Sequence, residues 1–203
     1  MTIFLIRHGE TAQNRQQIVQ PANVPLSDMG QQQAVLLADR LASLDIGHIL
    51  SSDLPRAAQT ANQLARKTSA VLTLTPILRE RNFGDLRGQS YSQIALDFFA
   101  DDYLPPNGES WGEFNARVAD AWQHVVALAA ETQGSLAVVT HGLVCRAMVA
   151  NHLCLPEGVS LPDKWHNTSL SEFRKSPPHH ILALNNADHL AKREIRSDAS
   201  API

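Results

Sequence analysis

The sequence predicts an α/β fold, a three-layer α/β/α sandwich with a mostly parallel sheet and an antiparallel edge. Three observations predict it. Short apolar runs of strand length alternate with longer amphipathic stretches from residue 3 to about residue 153, the pattern of helical crossovers covering both faces of a parallel sheet. Two more strand-like runs then follow each other with no helix between them, which suits an antiparallel edge pair. The chain has 203 residues, and 44% are apolar, enough for one sizeable core.

The elements follow in order. Ile3–Ile6 is a short buried strand. The stretch 27–44 sets Ala34, Leu37, Ala38 and Leu41 at helical spacing. Residues 48–52, "HILSS", form a second strand, and 55–67 a helix with Ala58, Ala61, Leu64 and Ala65 on one face. "VLTLTP" (71–76) is a third strand, closed by proline. Ser110, with Glu113 three residues on, opens a long helix to residue 131 as a capping box. "SLAVVT" (135–140) is a very apolar strand, and 143–153 a helix. Residues 168–175 and 179–185 are the final strand pair. Residues 77–109 break the alternation, with "LPPNG" (104–108) as a loop, and read as an insertion over one end of the sheet. One domain is therefore expected over 1–187, followed by a polar, frayed tail over 188–203.

Composition excludes several classes. There are 17 Lys and Arg against 20 Asp and Glu, a formal net charge of −3, a balance that argues against a general nucleic-acid binder. No apolar run reaches the roughly 18 residues of a membrane span. No basic n-region and h-region precede Ile3, so no signal peptide is expected and the protein is expected in the cytoplasm. Cys145 and Cys154 lack CxxC spacing and read as reduced, buried thiols. His179-His180 has no partner at ligand spacing, so no metal and no cofactor are expected. His48, His124, His152, His166 and His189 read as structural or surface residues.

Ligands of an open parallel sheet bind beyond the carboxyl ends of its strands. Arg7-His8-Gly9 follows the first strand, and "SSDLPRAAQT", with Arg56, follows the second. Glu80 lies in "RERNFGDLRG" after the third, and His141-Gly142 follows "SLAVVT". Arginine is suited to bidentate recognition of oxyanions, and helix N-termini at that edge add positive dipole ends. Each histidine is followed by glycine, which permits close approach of a ligand to the backbone. The constellation calls for a phosphoryl group. Gly30 and Gln33 are explained by packing and helix entry, and Ser110 by capping.

"LIRHGET" with Asn14, "ILSSDLPRAAQTA" and "VVTHG" resemble the three signatures of the histidine phosphatase superfamily, the phosphoglycerate-mutase-like proteins. "VPLSDMGQQQA", "LRERNFGDLRGQS", "PPNGESWGEFNARV" and "WHNTSLSEF" resemble further segments of that family, the third of them in its small bacterial phosphatases. The resemblance implies that His8 is the nucleophile and becomes phosphohistidine. It implies that Arg7, Arg56, His141 and Asn14 bind phosphate oxygens, and that Glu80 is the general acid, then the base. Arg81, Arg87 and Glu109 are candidate substrate contacts, with Arg79 beside them. The expected activity is metal-independent hydrolysis of a small phosphomonoester by a monomer or homodimer. Its substrate stays open among a sugar phosphate, a phospho-amino acid and a ribotide such as α-ribazole phosphate. A cofactor-dependent phosphoglycerate mutase is the alternative. Arg81 directly after Glu80 suits it, whereas only about thirty residues separate Glu80 from the helix at Ser110, too few for the mutases' long insertion. A catalytically inactive phospho-ligand scaffold is the reading from another class, and the presence of every chemical group disfavours it.

Overall fold

Hydrophobic runs too short for helices become strands here, and their order in space differs from their order in sequence. A computed structural model describes residues 1–95 and 97–193. It contains β1 (Thr2–Arg7), α1 (Ala12–Gln16), α2 (Asp28–Leu41), β2 (Ile46–Ser52), α3 (Pro55–Thr68), β3 (Val71–Thr75), α4 (Trp111–Glu131), β4 (Ser135–Thr140), α5 (Gly142–His152), β5 (Leu170–Arg174) and β6 (Ile181–Asn186). The sheet order is β3-β2-β4-β1-β5-β6. β3, β2, β4 and β1 run parallel, while β5 and β6 add the antiparallel edge.

Alternation along β1 assigns its side chains to two cores. Ile3 and Leu5 pack with α4 and α5 residues such as Phe114, Val118, Val144 and Met148. Phe4 and Ile6 pack on the other face with Leu37 of α2 and Leu64 of α3. Parallel strands buried on both faces need continuous apolar runs, and β1 and β4 supply them. Ser110 accepts from the Glu113 N–H and closes the expected capping box on α4.

Among the described residues of 76–110 there are three short 3-10 turns, at Pro76–Leu78, Gly84–Leu86 and Tyr91–Gln93. An Ile18–Ser90 bridge, with backbone hydrogen bonds between Val19 and Gly88 and Gln89 and between Gln17 and Tyr91, ties this segment to the stretch after α1. Among the described residues, no helix is long and apolar enough to cross a membrane.

Two expectations are corrected. Residues Asp188–Arg193 form a 3-10 turn rather than a frayed end, because Leu190 is buried and His189 is held from two sides. Its Nε2 pairs with Thr168 Oγ1 at 3.0 Å, and Arg40 donates to its Nδ1 at 3.4 Å. Burial, with Arg40 next, pushes its pKa down to about 4. The rest of the expected tail, 194–203, lies outside the described residues. Of the two thiols, Cys145 is buried but Cys154 is exposed, since it stands beyond the end of α5 where the chain leaves the core.

Candidate active site

Parallel pairing of β1 with β4 sets Arg7 opposite Thr140, so the next residue of each strand, His8 and His141, emerges at the same edge. The His8 N–H donates to the Thr140 carbonyl at 2.9 Å and fixes that register. The two rings meet edge to face, with centroids 5.1 Å apart. Arg56 arrives from β2 in the first turn of α3, behind Pro55 at a position where the missing N–H is harmless. Glu80 follows the 3-10 turn after β3. That turn is anchored to β4 by Thr140 Oγ1, which donates to the Leu78 carbonyl at 2.7 Å.

Arg7, His8, Asn14, Arg56, Glu80, Arg81 and Arg87 line one small pocket together, about 50 Å³ in volume. Nearly all of this chemistry is buried: His8 is 2% exposed, Arg56 2% and Arg7 8%. Burial lowers the His8 pKa well below 6.5, and the charges of Arg56 and Arg7 lower it further. The ring is therefore neutral at pH 7. His8 Nδ1 lies 2.6 Å from the Gly9 carbonyl, which assigns the proton to Nδ1 and leaves the Nε2 lone pair free for attack.

His141 does not line the pocket itself but stands fully buried against His8. Burial, then Arg56, lower its pKa well below 6.5 too. Its Nε2 lies 2.9 Å from Ser52 Oγ, while Nδ1 has no partner. Arg7 donates from Nη1 to the Trp165 carbonyl, and Arg56 from Nη1 to the Pro21 carbonyl at 3.3 Å. The Nε atoms of both arginines are buried without partners, as is Nη1 of Arg81. Burial brings the Arg56 pKa down to about 10, with Glu80 opposing the fall and Arg87 and Arg7 adding to it. Unsatisfied buried donors on cationic side chains are costly, and an oxyanion would satisfy them.

Glu80 is the counterweight. Burial raises its pKa, against two backbone donors and the two arginines. Those donors are the Leu143 N–H, 3.2 Å from Oε2, and the Arg81 N–H, 3.0 Å from Oε1. A carboxyl with a raised pKa and a neutral imidazole in one pocket can supply a proton donor and a nitrogen nucleophile, each suited to its part by its environment. Asn14 presents its amide to the pocket, its Oδ1 already accepting from the Thr11 N–H at 3.2 Å and from Asn167 Nδ2 at 3.4 Å.

The outer candidates separate. Arg81 is 1% exposed, stacked 3.9 Å from the Trp111 ring, with Nε and Nη2 donating to the carbonyls of Glu109 and Tyr103. Arg87 lines both the pocket and a neighbouring cleft. Glu109 lies in that cleft only, its carboxylate held by Arg117 and by the Asn82 N–H. Arg79 is half-exposed and paired with Asp53 through two hydrogen bonds, as a loop charge would be. Among the described residues, no cluster of three His, Cys, Asp or Glu side chains forms that could hold a metal ion.

One expectation needs a different cause. Gly9 is small for packing rather than for a ligand: a Cβ there would lie 2.7 Å from the Gly30 carbonyl. A Cβ on Gly30 would lie 2.0 Å from the Glu10 carbonyl, the packing explanation foreseen for it. Sequence reasoning missed Ser52, Trp165 and Asn167, the last of which donates to the His8 carbonyl at 3.0 Å. All three lie within quoted family-like segments, which was the available signal. Tyr91 and Gln20, also missed, line the pocket without any such signal.

A family model described as the histidine phosphatase superfamily (branch 1) matches residues 3–187. A protein of Enterobacter sp. (strain 638) named "Probable phosphoglycerate mutase GpmB" is 31% identical over 87% of this chain and 87% of its own. A Schizosaccharomyces pombe protein named "Probable phosphatase" is 30% identical over 96% of this chain and 97% of its own. Among solved structures, a mycobacterial glucosyl-3-phosphoglycerate phosphatase superposes with a TM-score of 0.76 at 27% identity, covering 91% of this chain and 98% of that one. YhfR of Bacillus stearothermophilus superposes with a TM-score of 0.79 at 26% identity, covering 93% of this chain and 98% of that one.

Proposed function

The chain belongs to the histidine phosphatase superfamily, and from this we propose that it is a phosphomonoesterase acting on a small phosphorylated metabolite through a phosphohistidine. The observation that carries the reading is the neutral His8 ring in one pocket with two buried arginines and a carboxyl of raised pKa. His8 Nε2 attacks phosphorus, and the bond from phosphorus to the ester oxygen breaks. Glu80 gives its proton to the departing oxygen. Water then attacks the phosphohistidine, Glu80 takes a proton back, and phosphate leaves with His8 neutral again. Arg7, Arg56, Asn14 and His141 match the charge on the transferring group, which is the main contribution a protein makes to phosphoryl transfer. Arginines supply that positive charge in place of a metal ion.

The names of bacterial relatives favour a second reading, a phosphoglycerate mutase. It has weaker support here, because Arg81 gives Nε and Nη2 to backbone carbonyls, which leaves Nη1 alone and no bidentate fork for a substrate carboxylate. Trapping distinguishes catalysis at His8 from any other route. Brief incubation with a ³²P-labelled substrate is expected to leave acid-labile, base-stable label on the wild type and none on His8→Ala, which is also expected to be inactive. Full activity in His8→Ala overturns the assignment.

A further inference from the structure

Glu80 marks the side of the phosphate on which the alcohol departs, because the acid must reach the ester oxygen. Its Oε2 accepts from Leu143, and Leu143 and Phe99 line both the phosphate pocket and a much larger cleft of about 800 Å³. That volume is in the range of small-molecule sites, whereas the phosphate pocket at about 50 Å³ has no room for an alcohol of any size. The cleft runs along the outer side of α5 toward the start of α4. Trp111 and Phe99 give it aromatic walls, and the same Trp111 stacks on Arg81 of the phosphate pocket. Its charged groups are Asp101, Asp163 and Arg146, and Arg146 already donates from Nη1 to the Pro162 carbonyl at 2.9 Å.

Aromatic faces hold ring-shaped groups, and carboxylates accept hydrogen bonds from hydroxyls. Two carboxylates against one engaged arginine repel an acid. We propose that this cleft is the leaving-group subsite and that it selects phosphate esters of neutral, hydroxylated ring alcohols over phosphorylated acids such as phosphoglycerate. The proposal rests on the phosphatase reading given above. A second cleft of about 480 Å³ also touches Glu80, but it has no aromatic wall. Of its three arginines, Arg79 and Arg117 are already paired, with Asp53 and Glu109, and Arg87 is shared with the phosphate pocket.

The test measures phosphate release by the purified full chain from four probes: glucose 6-phosphate, adenosine 5′-monophosphate, 3-phosphoglycerate and acetyl phosphate. At least one ring ester is expected to exceed 3-phosphoglycerate in kcat/KM by about tenfold or more, the scale on which pocket fit discriminates. Which ring ester leads tells a sugar from a nucleoside. Ala150→Trp fills the cleft from an exposed position of α5 and is expected to lower kcat/KM for that ester about tenfold, with acetyl phosphate changed less than about twofold. Ala22→Trp, in the second cleft, is expected to leave all four unchanged. Asp101→Asn with Asp163→Asn is expected to improve 3-phosphoglycerate relative to the ring ester. A wild-type preference for 3-phosphoglycerate overturns the proposal. So does an equal loss on every probe in Ala150→Trp, or a selective loss on the ring ester in Ala22→Trp. No release from any probe, acetyl phosphate included, overturns the phosphatase reading itself and the cleft assignment with it.

Discussion

Arg56→Met separates what the active site needs from what the fold prefers. Arg56 is 2% exposed, its Nε has no partner, and its Nη1 donates to the Pro21 carbonyl at 3.3 Å. Its pKa falls from an ordinary 12.5 to about 10. At 1.36 kcal/mol per pH unit, holding this charge in the folded chain costs about 3 kcal/mol. The cost is present in full at pH 7, because the group stays protonated until the pH passes about 10. Methionine keeps the apolar stem, removes the charge and loses the Pro21 bond, worth about 2 kcal/mol for a charged donor. A net gain of about 1 kcal/mol follows, which for a domain of this size raises Tm by about 2–4 °C. On the proposed mechanism the same substitution removes a transition-state cation, so activity should fall by at least about a hundredfold. The assay is thermal unfolding with and without inorganic phosphate, alongside turnover of p-nitrophenyl phosphate. Wild type should be stabilised by phosphate and Arg56→Met much less so, in line with linkage. A lower Tm in phosphate-free Arg56→Met refutes the claim that this cation is strained against the fold.

Three more outcomes are expected. Glu80→Gln keeps the shape and removes the proton, so hydrolysis of an alkyl phosphate should slow about 10²–10⁴-fold and p-nitrophenyl phosphate far less, since nitrophenolate leaves without help; equal losses on both would place the acid elsewhere. Activity should survive EDTA and be blocked by vanadate, and a requirement for added magnesium contradicts the reading of arginines as the source of charge. Without phosphate, stability should fall as pH drops below about 6.5, because the unfolded chain protonates at His8 and His141 where the folded chain, with both pKa values depressed, does not. Urea midpoints at pH 7.5 and 5.5 check this, the slope being at most about 1.4 kcal/mol per pH unit for each histidine; a flat profile refutes it.

The inner site was legible because it sits at strand ends. Apolar runs located β1, β2 and β4, and the residues that follow a parallel strand must face the ligand edge. Arg7, His8, Arg56 and His141 were found that way. The residues missed act across long sequence gaps: Ser52 reaches His141, Asn167 reaches His8, and Trp165 offers only a carbonyl to Arg7. No periodicity marks such partners. α1 was missed because five residues show no apolar repeat, its start being set by a capping box between Thr11 and Asn14. The inward turn of Arg81, stacked on Trp111, 30 residues away in sequence, has no local signal, so local reading gave it only as a candidate substrate contact. Leu190 was hidden in a polar tail, where a single apolar side chain gives no pattern.

The sheet order has a consequence for how this protein comes into being. β1 and β2 are not neighbours; β4 lies between them and pairs with both. On a growing chain the histidine of the first strand and the arginine after the second therefore have no common scaffold until residue 140 has left the ribosome. The central strand enters last among the four parallel ones, closing loops of more than eighty residues on each side, and such closures slow folding. Until it enters, the edges of β1 and β2 that β4 will cover are open, and nascent chains stalled before β4 should depend on chaperones and show no phosphate affinity. Catalytic competence would then appear in one step during synthesis, rather than building up strand by strand.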